Sequence, residues 1–131
     1  MAFQIEEPDH PLVAAFGGRG FRQSEETFQF RDPWSRDKVR VLISIDNEAS
    51  DVEKTAPNYR IRDDRDFAIA WVKTYGQGRV FYTSFGHRTE LYFSPVFLQF
   101  YLDGIQFAAG DLDCPTEPRP GKPANVSRAP D

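Results

Sequence analysis

The 131-residue sequence is poor in the residues that most often announce chemistry. It holds one cysteine, two histidines and one methionine, and lysine occurs only at Lys38, Lys54, Lys73 and Lys122. A lone Cys114 forms no intrachain disulfide, and no Cys/His spacing of a structural zinc site is present, which fits a reducing compartment. With 16 basic against 20 acidic residues the formal charge is −4, and neither sign gathers into a block, so nucleic acid is not an expected partner. Long hydrophobic runs are missing too. The most apolar stretch, Ser94 to Gly110, is interrupted by Gln99, Asp103, Gly104 and Gln106, short of the roughly 20 apolar residues that a membrane span needs. The opening MAFQIEEPDHP has neither a basic leader nor an apolar segment of signal-peptide length, so a cytoplasmic location is expected.

What is present suits one globular domain: 40% of residues are hydrophobic and 15% aromatic. Ala2 to Glu6 alternates as a short strand, and Pro8 and Pro11 then impose a turn. Leu12 to Phe16 reads as one helical turn stopped by Gly17, Gly18 and Gly20. Glu26 to Arg31 and Val39 to Ile45 alternate polar and apolar residues, which predicts two half-buried strands lying near one another. Asp46 to Asp66 is a long polar connection containing Pro57, and its charged end RIRDDRD reads as solvated. Phe67–Tyr75 and Arg79–Phe85 are rich in β-branched and aromatic residues around Gly76-Gln77-Gly78, which predicts a β-hairpin. Ser94-Pro95 starts a helix that Gly110 ends, and its apolar residues cover most of the circumference. Five prolines then punctuate Asp111 to Asp131, which predicts an extended or disordered tail.

The segment AIAWVKTYGQGRVFYTSFGHR and the following helix ending GIQFAAG resemble the ThuA-like (trehalose-utilisation) family, with its W-x-x-x-Y-G-x-G-R-V-F-Y-x-x-x-G-H segment. Upstream, DHPLVAAF resembles the family's H-P segment and SEETFQFRD its acidic segment, so the matches run in family order from about Asp9 to Gly110. The resemblance implies a class I glutamine-amidotransferase-like fold, an α/β architecture with a mostly parallel sheet. Here it would be a truncated amidotransferase/flavodoxin-like sheet with a β-hairpin and one long C-terminal helix. Members are usually about twice as long, so the chain resembles a C-terminal half: residues 1–110 as a partial domain and 111–131 as a Pro-rich extended tail. It also implies a link to disaccharide and keto-sugar metabolism. Gly86-His87 resembles the late-strand histidine of the amidotransferases, but His-Arg-Thr-Glu departs from their His-Pro-Glu pattern, and the region that would supply a nucleophile is absent.

His87 is accordingly the catalytic candidate, since strand ends in α/β sheets are where ligands bind and histidine is the side chain that titrates nearest neutrality. Against this, a histidine after a strand is often only a hydrogen-bonded structural residue. Arg88 offers a planar fork for a carboxylate or an anionic sugar substituent, with solvated surface arginine as the plainer reading. His10 and Glu25 join them as candidate ligand-binding residues if the fold gathers them, with Glu26 as the alternative carboxylate. No local pairing supports a metal site, and neither metal nor cofactor is expected. Trp71, Tyr75, Phe81, Tyr82, Phe85, Tyr92 and Phe93 are candidates to stack on a sugar, with core packing the default for half of them. Cys114 reads as an exposed, unreactive thiol. Too few elements remain to cover their own apolar faces and sheet edges, which favours a non-catalytic accessory subunit docking into a larger assembly. The expected partner is another protein or a second copy, with peripheral contact to a larger complex, of the membrane or not, as the expected setting. The alternative is a sugar-metabolising enzyme or sugar-binding domain completed by another chain.

Overall fold

A computed structural model describes residues 1–55 and 61–130; the stretch 56–60 of the polar connection, with Pro57, and the last residue of the tail lie outside the described residues. The architecture is mixed α/β. Five strands, β1 (Ala2–Ile5), β2 (Phe21–Arg22), β3 (Arg40–Ile45), β4 (Ala68–Tyr75) and β5 (Gly78–Thr83), form one sheet in the order β2-β1-β3-β4-β5. Every pairing is antiparallel, unlike the mostly parallel sheet that the resemblance implies. A two-residue loop joins β4 to β5, and Gly76 takes the left-handed conformation there at φ +57°, which a reversal this tight favours. Parallel neighbours would need crossovers of a dozen or more residues.

Both faces of the sheet are dressed. Helix α2 (Pro95–Ala109) and the 3-10 turn Pro11–Phe16 lie on one face, where Phe3, Ile5, Phe85, Phe97, Phe100 and Phe107 form the buried core with Leu12 and Val13. Alternation along β5 sends Phe81 to this side and Val80 and Tyr82 to the other. There Val39, Val41 and Trp71 make a smaller cluster, roofed by Phe30 stacked on Trp34 at 5.2 Å. The Phe81 ring presses on α2 at Gly104, where an added Cβ would stand 2.2 Å from it. Helix α2 ends at Gly110, whose φ of +95° is the left-handed cap. Ser94 sits at its N-cap without a side-chain capping bond; the preference for serine there holds in position but not in contact.

Several expectations are corrected. Glu26 to Arg31 is not a strand: Phe28 stays exposed while Phe30 turns to its aromatic roof, so the alternation reflects anchoring of a loop. The polar connection contains a short helix, α1 (Val52–Thr55), and its charged end is not wholly solvated. Asp66 is 7% exposed and shares Arg36 with Glu6. Arg36 donates to both carboxylates in bidentate fashion at 2.7–2.8 Å, so three ionised groups satisfy one another under the sheet. Burial works against the charge on Arg36, and the two carboxylates outweigh it, holding the guanidinium above its ordinary range.

Residues 111–130 run extended back across the molecule. Ser127 exchanges two backbone hydrogen bonds with Ile5 at 2.9 Å, beyond the point where β2 ends. Arg40 donates to the Glu117 carbonyl, Lys122 to the carbonyls of Asp64 and Arg65, and Arg128 pairs with Glu48. Cys114 is half-buried against the core rather than exposed, and burial pushes its thiol up to about 11. Among the described residues no helix is long and apolar enough to cross a membrane.

Candidate functional site

The register Phe3↔Ile45, Ile43↔Ala70 and Ala70↔Thr83 brings the start of β1, the end of β3, the start of β4 and the end of β5 to one end of the sheet. Past β5 the chain leaves the ladder at Ser84, whose N–H still reaches the Ile69 carbonyl, and Phe85 dives into the core. Gly86-His87-Arg88 is therefore held out at this end, with its backbone N–H groups freed from the sheet. The segment after β2 arrives at the same place, because the Gln23 N–H donates to the Met1 carbonyl.

The two segments meet through charge. The Glu25 carboxylate accepts from the N–H groups of Gly86 and Arg88, each at 3.3 Å. His87 Nδ1 stands 2.9 Å from Glu26 Oε2, and Arg88 Nη2 donates to Ser24 Oγ at 3.3 Å. Both members of the His87–Glu26 pair are open to solvent, with side chains 63% and 53% exposed. Tyr92 donates its hydroxyl to the Gly86 carbonyl at 2.8 Å. Its ring lies 5.9 Å from that of Tyr101, whose hydroxyl is buried and has no hydrogen-bond partner among the described residues. Burial, then Tyr92 and Glu25, push the Tyr101 phenol up to about 12, so it stays a neutral donor. Beside Glu25 and Glu26 opens a cleft of about 530 Å³, floored by Met1, Ile45, Val52, Ile61 and Phe67 with Phe28 at its side.

Glu25, Glu26, His87 and Arg88 are thus brought together, and His10 is not. His10 follows the other end of β1, near Glu7, which Arg40 holds at the start of β3. It is 3% exposed; its Nδ1 accepts from the Leu12 N–H at 3.3 Å and its Nε2 lies 3.0 Å from the Pro115 carbonyl. The arrangement makes His10 a cap for the turn Pro11–Phe16 and a clamp for the tail. Burial, partly opposed by the Pro115 carbonyl and Glu7, lowers its pKa. No group of three or more His, Cys, Asp or Glu placed to hold a metal exists among the described residues.

Of the candidate stacking aromatics, Phe85 is core, Trp71 stacks on Tyr82 at 5.0 Å, and Phe81 packs on α2. Tyr75, Tyr92 and Phe93 remain exposed. The cleft residue Phe28 was not legible as a site residue, because it lay in an expected strand. The one signal pointing to Phe28 was its place between Glu26 and Phe30, in the acidic segment.

No curated protein and no solved structure matches the chain. A model of the ThuA family, trehalose utilisation, matches residues 1–108, which takes in β1 through nearly all of α2 and every residue of the Glu25–Arg88 cluster. By that match, the chain belongs to the ThuA family of trehalose utilisation.

Proposed function

We propose that the chain serves trehalose utilisation by binding a hydroxyl-rich sugar at the cleft beside Glu25 and Glu26. The observation that carries this reading is the meeting of Glu25, Glu26, His87 and Arg88 at one sheet end beside an apolar-floored cleft. Carboxylates accept hydrogen bonds from vicinal hydroxyls, while His87 and Arg88 hold the cleft-lining Glu26, Glu25 and Ser24 in place. The cleft floor and the exposed Phe28 ring offer apolar surface for the C–H faces of a sugar. Binding suits the cluster better than turnover: Glu25 is committed to backbone N–H groups, and His87 Nδ1 is held 2.9 Å from the Glu26 carboxylate.

The test is calorimetric titration of the whole chain with trehalose, other disaccharides and keto-sugars. Saturable binding of at least one is expected, weakened about 10-fold or more in Glu26→Ala and His87→Ala, as loss of one or two charge-assisted hydrogen bonds implies. Both side chains are exposed, so these variants keep the fold. No heat with any sugar at millimolar concentration would remove the reading.

A second reading is favoured by a separate observation. Helix α2 leaves Leu98, Leu102 and Ile105 in water at 46%, 46% and 64% exposure, a contiguous apolar stripe of the kind that marks an interaction surface. On this reading the chain is an accessory subunit that docks through α2, whether or not the cleft holds a sugar.

A further inference from the structure

We propose that the backbone N–H groups of Gly86 and Arg88, together with the Arg88 guanidinium, form a cradle for the anionic group of a sugar acid or sugar phosphate, with Glu25 as its built-in competitor. The inference rests on the sugar reading of the cleft and deepens it by giving the ligand a charge: the hydroxyl-rich body lies over the cleft and the anionic end enters the cradle. Glu25 joins the two places, since it lines the cleft and its carboxylate accepts from both N–H groups. A carboxylate held by main-chain donors makes the contact that the carboxylate or phosphate of a ligand would make there. These donors are fixed in advance. The Ser84 N–H still reaches Ile69, the Phe85 N–H donates to Thr83 Oγ1 at 3.2 Å, and Tyr92 holds the Gly86 carbonyl at 2.8 Å. Gly86 has φ +147°, and an added Cβ would stand 3.0 Å from the Tyr92 hydroxyl, so this turn requires glycine.

Glu25 fills the cradle loosely. Its contacts with the Gly86 and Arg88 N–H groups are all 3.3 Å, against about 2.7–2.9 Å for a good charge-assisted bond. Its shortest bond is local, 2.8 Å from the Glu26 N–H, and does not depend on the cradle. Ser24 to Gln29 form no strand or helix; the segment is anchored by Gln23 on Met1 at one end and by Phe30 on Trp34 at the other. The carboxylate therefore leaves the cradle without breaking a ladder. Two donors nearby remain unmatched by it. Arg88 forms no ion pair among the described residues, and its guanidinium donates to the neutral Ser24 hydroxyl. The Tyr101 hydroxyl, kept protonated by burial and by Tyr92 and Glu25, has no hydrogen-bond partner among the described residues. Glu26, the other carboxylate of the segment, is taken up by His87.

Calorimetric titration of the whole chain with glucose, gluconate and glucose-6-phosphate reads the charge of the ligand, the last two separating a carboxylate from a phosphate source. At least one of the anions should bind about 10-fold or more tightly than glucose, as one or two charge-assisted bonds imply, and added salt should erode that preference. Arg88 is exposed, so Arg88→Ala keeps the fold and should collapse the ratio toward one. Glu25→Ala removes the competing carboxylate and should tighten the preferred anion, with an unchanged circular dichroism spectrum. Equal affinity for all three ligands, an anion preference that Arg88→Ala leaves intact, or anion binding that Glu25→Ala weakens overturns the cradle and leaves the cleft reading standing. Inorganic phosphate and acetate titrated into Glu25→Ala distinguish the reverse case. Their binding in the absence of any sugar binding removes the cleft reading and keeps the cradle as an anion site, whereas no heat from any of these ions or sugars removes both.

Discussion

Arg36 shows how much of this fold is decided by single residues that no local pattern announces. Its guanidinium is 8% exposed and holds Glu6 and Asp66, each thirty positions away, with the Gly121 carbonyl at 3.4 Å closing the third side. Arg36→Met removes the one cation and leaves two carboxylates facing each other out of water, which costs about 3–5 kcal/mol. Urea unfolding should show a lowered midpoint at unchanged slope, and a loss below 1 kcal/mol would mean that water already reaches the triad. The sequence displays these residues as parts of ordinary charge runs, Glu6-Glu7 and Arg62-Asp63-Asp64-Arg65-Asp66, and the pairing exists only once β1 and β3 are side by side. His10 makes the same point with pH. Folded His10 accepts from Leu12 and resists protonation, while the unfolded chain takes up its proton near the ordinary value of 6.5. Below that pH the unfolded state binds more protons, so stability is full above it and falls as the pH drops toward the lowered folded value. Urea midpoints at pH 7.5 and 5.5 should diverge more in wild type than in His10→Asn, which carries no titrating ring; equal divergence would assign the acid sensitivity elsewhere.

Elements were legible where chain direction is fixed by glycine and proline, and illegible where tertiary contacts override period. The hairpin β4–β5, the turn Pro11–Phe16 and helix α2 follow from Gly76, Gly17, Pro95 and Gly110 within a residue or two of their expected limits. The Glu26–Arg31 segment fails because its alternation serves Phe30, drawn under Trp34 and Trp71, while Glu25 and Glu26 are drawn to Gly86–Arg88. The site was readable as residue types, since acidic and Gly-His segments stood out, but their meeting was not, because 61 positions separate Glu25 from Gly86. Helix α2 carries a prediction of its own. The Phe81 ring lies against its backbone at Gly104, so Gly104→Val drives a side chain into an aromatic ring at a contact with no room. Overpacking of this kind costs about 1–3 kcal/mol. Thermal melting should register a Tm lower by several degrees, and restoring room with Phe81→Leu in the same chain should recover part of the loss. Additive losses would show that the two positions do not touch in solution.

For the whole molecule, the question is what the extended residues 111–130 contribute. Their composition offers almost no apolar side chain beyond Leu112 and Cys114. Their hold on the domain is polar and distributed: Pro115 on His10, Glu117 on Arg40, Arg119 on Glu7, Gly121 over Arg36, Ser127 on Ile5 and Arg128 on Glu48. Most of these are exposed pairs, each worth little alone. Two act on buried groups, because the Pro115 carbonyl satisfies a 3% exposed histidine and residues 119–123 roof the Glu6–Arg36–Asp66 triad. Deleting residues 115–131 therefore strips no large apolar area yet lets water in at both places. The expected cost is about 1–3 kcal/mol, mainly from desolvated groups losing partners, or a Tm lower by roughly 5–15 °C in a domain of this size. The deletion should also cancel the excess effect of Arg36→Met, since a triad already wetted loses less with its cation. If the shortened chain melts within about 2 °C of the full one, and the amide of Ile5 exchanges as slowly in both, the strap rests on the domain without holding it.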